Sequence, residues 1–418
     1  MLYCVIYPFY YQRLKNLVIT SMKKTIFIAI FLGLLASGGF FYRWWQTTKV
    51  IDLRFTTVPE IQLVDNLTVE FANDANLSDF FASFTGQTFT DIPIDTGAIG
   101  EQVVTFAYRD QKNRLRHASF VLTVIDTVAP TALYSKYTMM VGENDDLIAQ
   151  IPCGDNEDPH PVCELAGDYD PDVADTYELS IVTRDRSNNV GHQPLTLQIV
   201  EEYEESANPP LTFAQARAQY ASSSIGIDVS RWQTEIDWQA VKDSGVDFAI
   251  IRLGSQTKFD AEPTIDPYFA QNLAGARAVA LPVGVYFYSL AKTSAQARAQ
   301  ADWVIQQLAG TQLDLPVVFD WEAWTYWNEL DLSYYSLNQL ATEFLQTVTA
   351  AGYQGMLYGS KLPLQRIWWN KNNYPVWLAH YVTATDYDGA YDIWQFSATG
   401  EISGIDGDVD LNLMVNAN

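Results

Sequence analysis

Pro282 to Leu308 reads PVGVYFYSLAKTSAQARAQADWVIQQL, and Leu315 to Trp321 reads LPVVFDW. An apolar strand (Pro282 to Tyr288), a helical stretch (Ser294 to Leu308) and a second apolar strand follow one another, the pattern of parallel strands joined by a crossover helix. Outward from this unit the pattern continues. Strand candidates are Ile225 to Val229 and Phe248 to Leu253 before it, and Gly355 to Tyr358, Val376 to Ala379 and Tyr391 to Phe396 after it. Tyr268 to Val279 and Asn338 to Ala351 supply further helices. Such alternation predicts a mostly parallel sheet with crossover helices. The later strands are too closely spaced for full helices, so residues 224–418 are expected to form an α/β incomplete (β/α) barrel.

Acids fall at the predicted strand ends, where such barrels collect their reacting groups. Asp228 closes the first strand, and Asp320 and Glu322 close the fourth. Residues i and i+2 of a strand face the same way, so Asp320 and Glu322 share one side. Two carboxyls held close cannot ionise independently, and one pKa should rise. A carboxyl kept protonated near neutral pH suits protonation of a glycosidic oxygen, with a second carboxylate stabilising positive charge at the sugar carbon. An Asp-x-Glu alone is common and is better explained by a solvated strand end.

The surrounding segments decide between these readings. GIDVSRWQ (Gly226 to Gln233), DWE (Asp320 to Glu322), IWQF (Ile393 to Phe396) and VDLN (Val409 to Asn412) occur in that order, with IIRLG, GVYFYS, LYG and WLAHY between them. Over residues 224–418 the chain resembles glycoside hydrolase family 25, the lysozyme or muramidase type. The resemblance implies that Glu322 acts as general acid and then base. It implies that Asp320 orients the substrate's N-acetyl group as that group attacks the anomeric carbon, so that cleavage proceeds with retention. Asp228 and Asp410 match two further active-site acids, and no metal or organic cofactor is implied. Tyr286, Trp394, Tyr358, Trp377 and Tyr381 are candidates to bind sugar, Tyr286 and Trp394 first, although large aromatics also serve as core. His380 has no metal-ligating neighbours at ligand spacing and reads as structural. Thr234 stands where that family more often has Gly.

Residues 51–201 change to short alternating runs: Gln102 to Tyr108, Ala118 to Ile125, Thr176 to Thr183 and Pro194 to Val200. Period-two alternation bounded by turn residues predicts antiparallel strands. The strand, polar turn, strand order appears twice, at 100–125 and 175–200. Two all-β sandwich modules are therefore expected, 51–126 and 127–201, resembling the immunoglobulin-like modules of bacterial surface proteins and serving as spacers, with wall or sugar binding as the alternative. Cys153 and Cys163 lie ten apart in a loop and suit one local disulfide outside the cytoplasm. Cys4 has no evident partner. The acidic loop Asp155 to Asp158, with Asp168, Asp170 and Asp172 further on, reads as solvated, with calcium binding as its alternative. Residues 202–223 read as a linker, beginning with the acidic stretch Glu201 to Pro210 that overlaps them.

Thr25 to Tyr42 is an uncharged run preceded by Lys23 and Lys24 and followed by Arg43, Trp44 and Trp45. This fits a transmembrane anchor with residues 1–24 as a cytoplasmic leader and the rest outside the cell, or else a cleaved signal. Met22 is a more natural beginning than Met1. Residues 1–50 hold six basic residues and no acids, so the remainder carries 19 basic against 50 acidic side chains. That surface repels phosphate backbones and excludes nucleic acid as a partner. The expected protein is a surface-anchored or secreted enzyme whose partner is peptidoglycan. Its rivals are a non-catalytic glycan-binding or adhesion protein and an enzyme acting on chitin-like polymers. The oligomeric state is not legible.

Overall fold

The computed structural model describes residues 49–143, 146–203 and 211–415. The leader and the apolar run 25–42 lie outside the described residues, as does most of the Glu201 to Pro210 segment. Among the described residues no helix is long and apolar enough to cross a membrane. The chain divides between Asp126 and Thr127 into two compact units.

The first unit is built on one antiparallel hairpin, Gly100–Arg109 with Leu115–Ile125. Alternate residues Val104, Phe106 and Tyr108 from one strand and Phe120 and Leu122 from the other point into a core that also buries Leu77 and Phe80. Short strands Val50–Asp52 and Thr68–Glu70 add to this sheet in parallel, so it is mixed where an antiparallel sheet was expected. Its facing layer is small, a pair formed by Ile61–Leu63 and Phe81–Phe84.

The second unit opens with a largely β region built the same way, with one short helix, Leu147–Gln150, packed on its core. The hairpin Thr176–Arg184 with Val190–Val200 is flanked by Val162–Ala166 and, in parallel, by Lys136–Met140. The repeat read from the sequence extends to the turn. In both hairpins an Asp begins the turn (Asp110, Asp185), an Asn three residues later takes a positive φ (Asn113 at 59°, Asn188 at 69°), and the Asn N–H donates back to the Asp carbonyl. Asn tolerates that backbone region better than most residues because its short polar side chain can bond locally. The acidic loop is not solvated. Asp155, Asn156 and Asp158 are buried, with Asp155 Oδ1 accepting from the Glu157 and Asp158 N–H groups and Asp158 accepting from His160 and Arg186. Cys153 and Cys163 are joined by a disulfide.

The barrel follows. Strands β1 (Ser224–Val229), β2 (Phe248–Ser255), β3 (Val283–Ser289), β4 (Val317–Trp321), β5 (Gly355–Ser360), β6 (Val376–Ala379) and β7 (Ile393–Glu401) run parallel in that spatial order. The eighth, β8 (Val409–Met414), pairs antiparallel with both β7 and β1 and closes the barrel. Strands such as β4, VVFDW, are apolar at nearly every position because both faces are covered. One face meets helices α1 (Phe213–Gln219), α2 (Trp238–Asp243), α3 (Phe269–Ala278), α4 (Ser294–Leu308), α5 (Tyr334–Ala350) and α6 (Lys361–Arg366). α4 buries Ala297, Ala301, Val304 and Leu308 at helical spacing, and Thr293 caps it by accepting from Gln296 N–H. No helix lies between β6 and β7 or between β7 and β8. The barrel domain begins earlier than residue 224, because Leu211–Thr212 pairs with β7 and α1 buries Phe213 and Ala216 in the barrel's outer core.

Candidate active site

Alternation along the strands sorts the barrel residues into two sets. Ile227, Phe319, Trp321, Val409 and Leu411 point outward to the helices. Their neighbours Asp228, Asp320, Glu322, Asp410 and Asn412 therefore point inward, above an interior core of Phe248, Ile250, Val318, Met356, Tyr358, Trp377 and Ile393. Because β8 runs antiparallel, its N-terminal residues reach the same barrel end as the C-terminal residues of β1, and Asp410 lies directly opposite Asp228 in the register. All four expected acids meet at that end.

Two amides organise them. Gln395 on β7 donates from Nε2 to Asp228 Oδ2 and to Asp410 Oδ2, both at 2.9 Å. Its Oε1 accepts from the hydroxyls of Tyr358 and Tyr381, each at 3.0 Å. Asn412 donates to Asp228 Oδ2 at 2.7 Å and accepts the indole N–H of Trp377 at 2.8 Å. Gln395 and Asn412 are fully enclosed. Neither was singled out from the sequence, although both lie inside motifs that were, in IWQF and VDLN.

The carboxyls are held above their ordinary range. Burial raises Asp228 to about 6 against the hydrogen bonds from Asn412 and Gln395. Burial and the charge of Asp228 raise Asp410 to about 9. Asp320 is pushed well up by burial and by Glu322, to which it is hydrogen-bonded. Glu322 is raised by its enclosure in the concave barrel mouth and by Asp228, although its side chain remains open to solvent. The four acids thus form two pairs, each sharing protons that isolated carboxylates would release. Arg252 of β2, fixed by a buried ion pair with Asp266 at 2.6 Å, partly offsets their charge at Asp320 and Tyr286. Tyr288, paired in register with Asp320, is raised to about 12 by burial and then by Asp320 and Glu322. Arg252, Asp266 and Tyr288 are further site residues that sequence reasoning missed.

The expected aromatics divide. Tyr286 lies among the acids, half-buried, with its ring edge-on to Trp377 at 6.0 Å. Tyr381 is partly exposed at the mouth. Tyr358 and Trp377 point inward but are buried beneath the acids, where they orient Gln395 and Asn412 and leave no ring face for a sugar. Trp394 points the other way, into the outer layer beside Tyr220 and Phe396, and donates its N–H to the His380 carbonyl. It precedes Gln395 on the strand and so faces opposite to it. His380 Nδ1 meets Thr385 Oγ1 at 2.9 Å and no cleft acid.

The sequence profile of glycosyl hydrolases family 25 matches residues 227–405. The chain is 35% identical over 197 residues to uncharacterized protein YegX of Escherichia coli K12, covering 45% of this chain and 68% of that protein. It is 29% identical over 211 residues to lysozyme M1 of Streptomyces globisporus, covering 45% of this chain and 66% of that protein. The chain therefore spans about two thirds of the length of these curated relatives. Among solved structures it is similar to the bacterial lysozyme from Streptomyces coelicolor, with 27% identity, 47% of this chain and 94% of that chain covered, and a TM-score of 0.38.

Proposed function

Because the chain belongs to glycosyl hydrolases family 25, we propose that it is a lysozyme-type peptidoglycan hydrolase cutting the β-1,4 bond between N-acetylmuramic acid and N-acetylglucosamine. The observation that supports this most is the pairing of Asp320 with Glu322 at the open barrel end, both raised, beside the amide-bridged Asp228 and Asp410. In the reactive tautomer the proton of the first pair sits on Glu322 and the charge on Asp320. Glu322 protonates the glycosidic oxygen as that bond breaks, and the substrate's acetamido oxygen bonds to the anomeric carbon while Asp320 accepts the amide N–H. Glu322, now a carboxylate, takes a proton from the water that opens this cyclic intermediate, so the configuration is retained. Tyr286 and Tyr381 border the sugar.

The test is reducing-end release from purified peptidoglycan by the full chain, with the new ends identified by mass spectrometry. Muramic acid ends are expected, with at least ~100-fold loss in Glu322→Gln, as for removal of a general acid. Asp320→Asn should lose comparably, and substrate lacking the N-acetyl group at the cleaved sugar should resist. Glucosamine ends or preferential release from chitin would replace the assigned bond. Pull-down of glycan without cleavage would make the barrel a binding module.

The substrate and the Cys153–Cys163 bridge both favour a location outside the cytoplasm, with residues 25–42 as membrane anchor and the first all-β module as an immunoglobulin-like spacer. Full-length protein should then stay in the membrane pellet after alkaline carbonate washing; release into the supernatant would indicate a cleaved leader.

A further inference from the structure

We propose that the β-rich region 127–200 is a positioning element for Glu322, acting through Trp327 and Asn328, and not a detached spacer. The inference rests on the reading of Glu322 as the general acid.

Glu322 directly follows β4 and immediately precedes a 3₁₀ turn, Ala323–Glu329. Its own backbone is at the switch (φ −133°, ψ 25°), and its carbonyl accepts from Trp324 N–H at 2.8 Å. With its side chain open to solvent and Asp320 as its close polar neighbour, the direction of the carboxyl follows the path of that turn.

The turn is held from outside the barrel. Asn328 accepts the Cys153 N–H at 3.0 Å and donates to the carbonyls of Ile148 at 3.1 Å and Ile151 at 3.0 Å. Trp327 donates its indole N–H to the Cys153 carbonyl at 2.9 Å. One dipeptide of the turn thus grips both backbone groups of a disulfide-bonded residue in the β region. From Trp327 an aromatic chain runs back to the catalytic strand: Trp327 to Trp324 at 5.7 Å, and Trp324 to Trp321 at 4.9 Å. Trp321 lies between Asp320 and Glu322.

The rest of the contact keeps this grip rigid. Tyr334 donates to the Thr131 carbonyl, Arg366 to those of Ala132 and Leu133, and Leu133 is part of the barrel's outer core. Approach is so close at Gly154 that an added Cβ would lie 2.5 Å from the Tyr334 ring and 2.9 Å from Trp327 Nε1.

The experiment uses the full chain with Asn328→Ala, Trp327→Phe and Gly154→Ala. Each touches the grip and none touches the cleft. We expect kcat to fall about tenfold in Asn328→Ala with KM within twofold, and less in Trp327→Phe, which keeps the ring stack. The alkaline limb of the pH–rate profile should move to lower pH as the Glu322 carboxyl turns out of the barrel mouth and away from Asp228, the two influences that raise it. The Glu322 carboxyl is followed independently by carbon-13 NMR of glutamate-labelled protein, with Glu322→Gln as the assignment control, so the proposal is tested whether or not the wild type cuts peptidoglycan. A fall in its midpoint of half a pH unit or more in Asn328→Ala supports the inference. An unmoved midpoint, or a loss of rate that only tracks a lowered melting temperature, overturns it. An inactive wild type with a shifting midpoint would instead refute the assigned reaction and leave the coupling standing.

Discussion

The carboxamide of Gln395 has four partners, two acids on its nitrogen and two tyrosine hydroxyls on its oxygen. That fixes which end faces the acids and so which protons the Asp228 and Asp410 pair can keep. Gln395→Leu removes all four bonds at nearly constant volume. Hydrogen bonds to charged groups contribute about 1.5–3 kcal/mol each, so the reducing-end release rate should drop by about 10- to 100-fold while the protein still melts cooperatively. A rate within threefold of wild type would show that the amide is only packing. The four acids were legible in the sequence because strand ends and motifs mark them. Gln395 was not, because the eye goes to the large ring beside it. Period two settles the matter: with Ile393 inward, Trp394 must be outward and Gln395 inward.

At the scale of elements, the seven parallel strands were legible almost residue by residue, since buried parallel strands are continuous apolar runs. β8 was quoted as the motif VDLN without being read as a strand, although its register with β1 places Asp410 opposite Asp228. Helix α1 was hidden in what read as linker because seven residues with two buried positions carry little periodicity. The turn after β1 was marked by Thr234, which stands where the family more often has Gly. Thr234 takes φ 53° and ψ −128°, a region that favours glycine. Thr234→Gly should relieve strain of about 1 kcal/mol and raise the melting temperature of the second unit by about 2–4 °C, read by calorimetry. A lower melting temperature would mean that the Thr side chain contributes more than its backbone costs.

At the scale of the whole molecule, the most strongly shifted carboxyls of the two units carry pH dependence of opposite sign. In the first, burial works against the charge of Asp110, but the Arg114 backbone N–H and the side chains of Arg114 and Arg116 overcome it and lower its pKa to about 2. The unfolded chain binds that proton more readily, so this contribution is present above the ordinary carboxylate range near ~4 and is lost as pH falls through about 2. In the cleft the folded state is the one that holds protons. Stability from Asp228 and Asp410 is present below ~4 and is lost as pH rises through about 6 and about 9. Asp410→Asn keeps the shape and removes the charge, so calorimetry between pH 6 and 9 should show the second unit's melting temperature falling by no more than half of the wild-type decline. Asp110→Asn should leave that decline untouched and lower the first unit's transition more at pH 7 than at pH 2. An equal alkaline decline in Asp410→Asn would place the cost elsewhere. A flattened decline together with lost activity would mean that the barrel keeps an acid at Asp410 for catalysis, against the stability of its own fold.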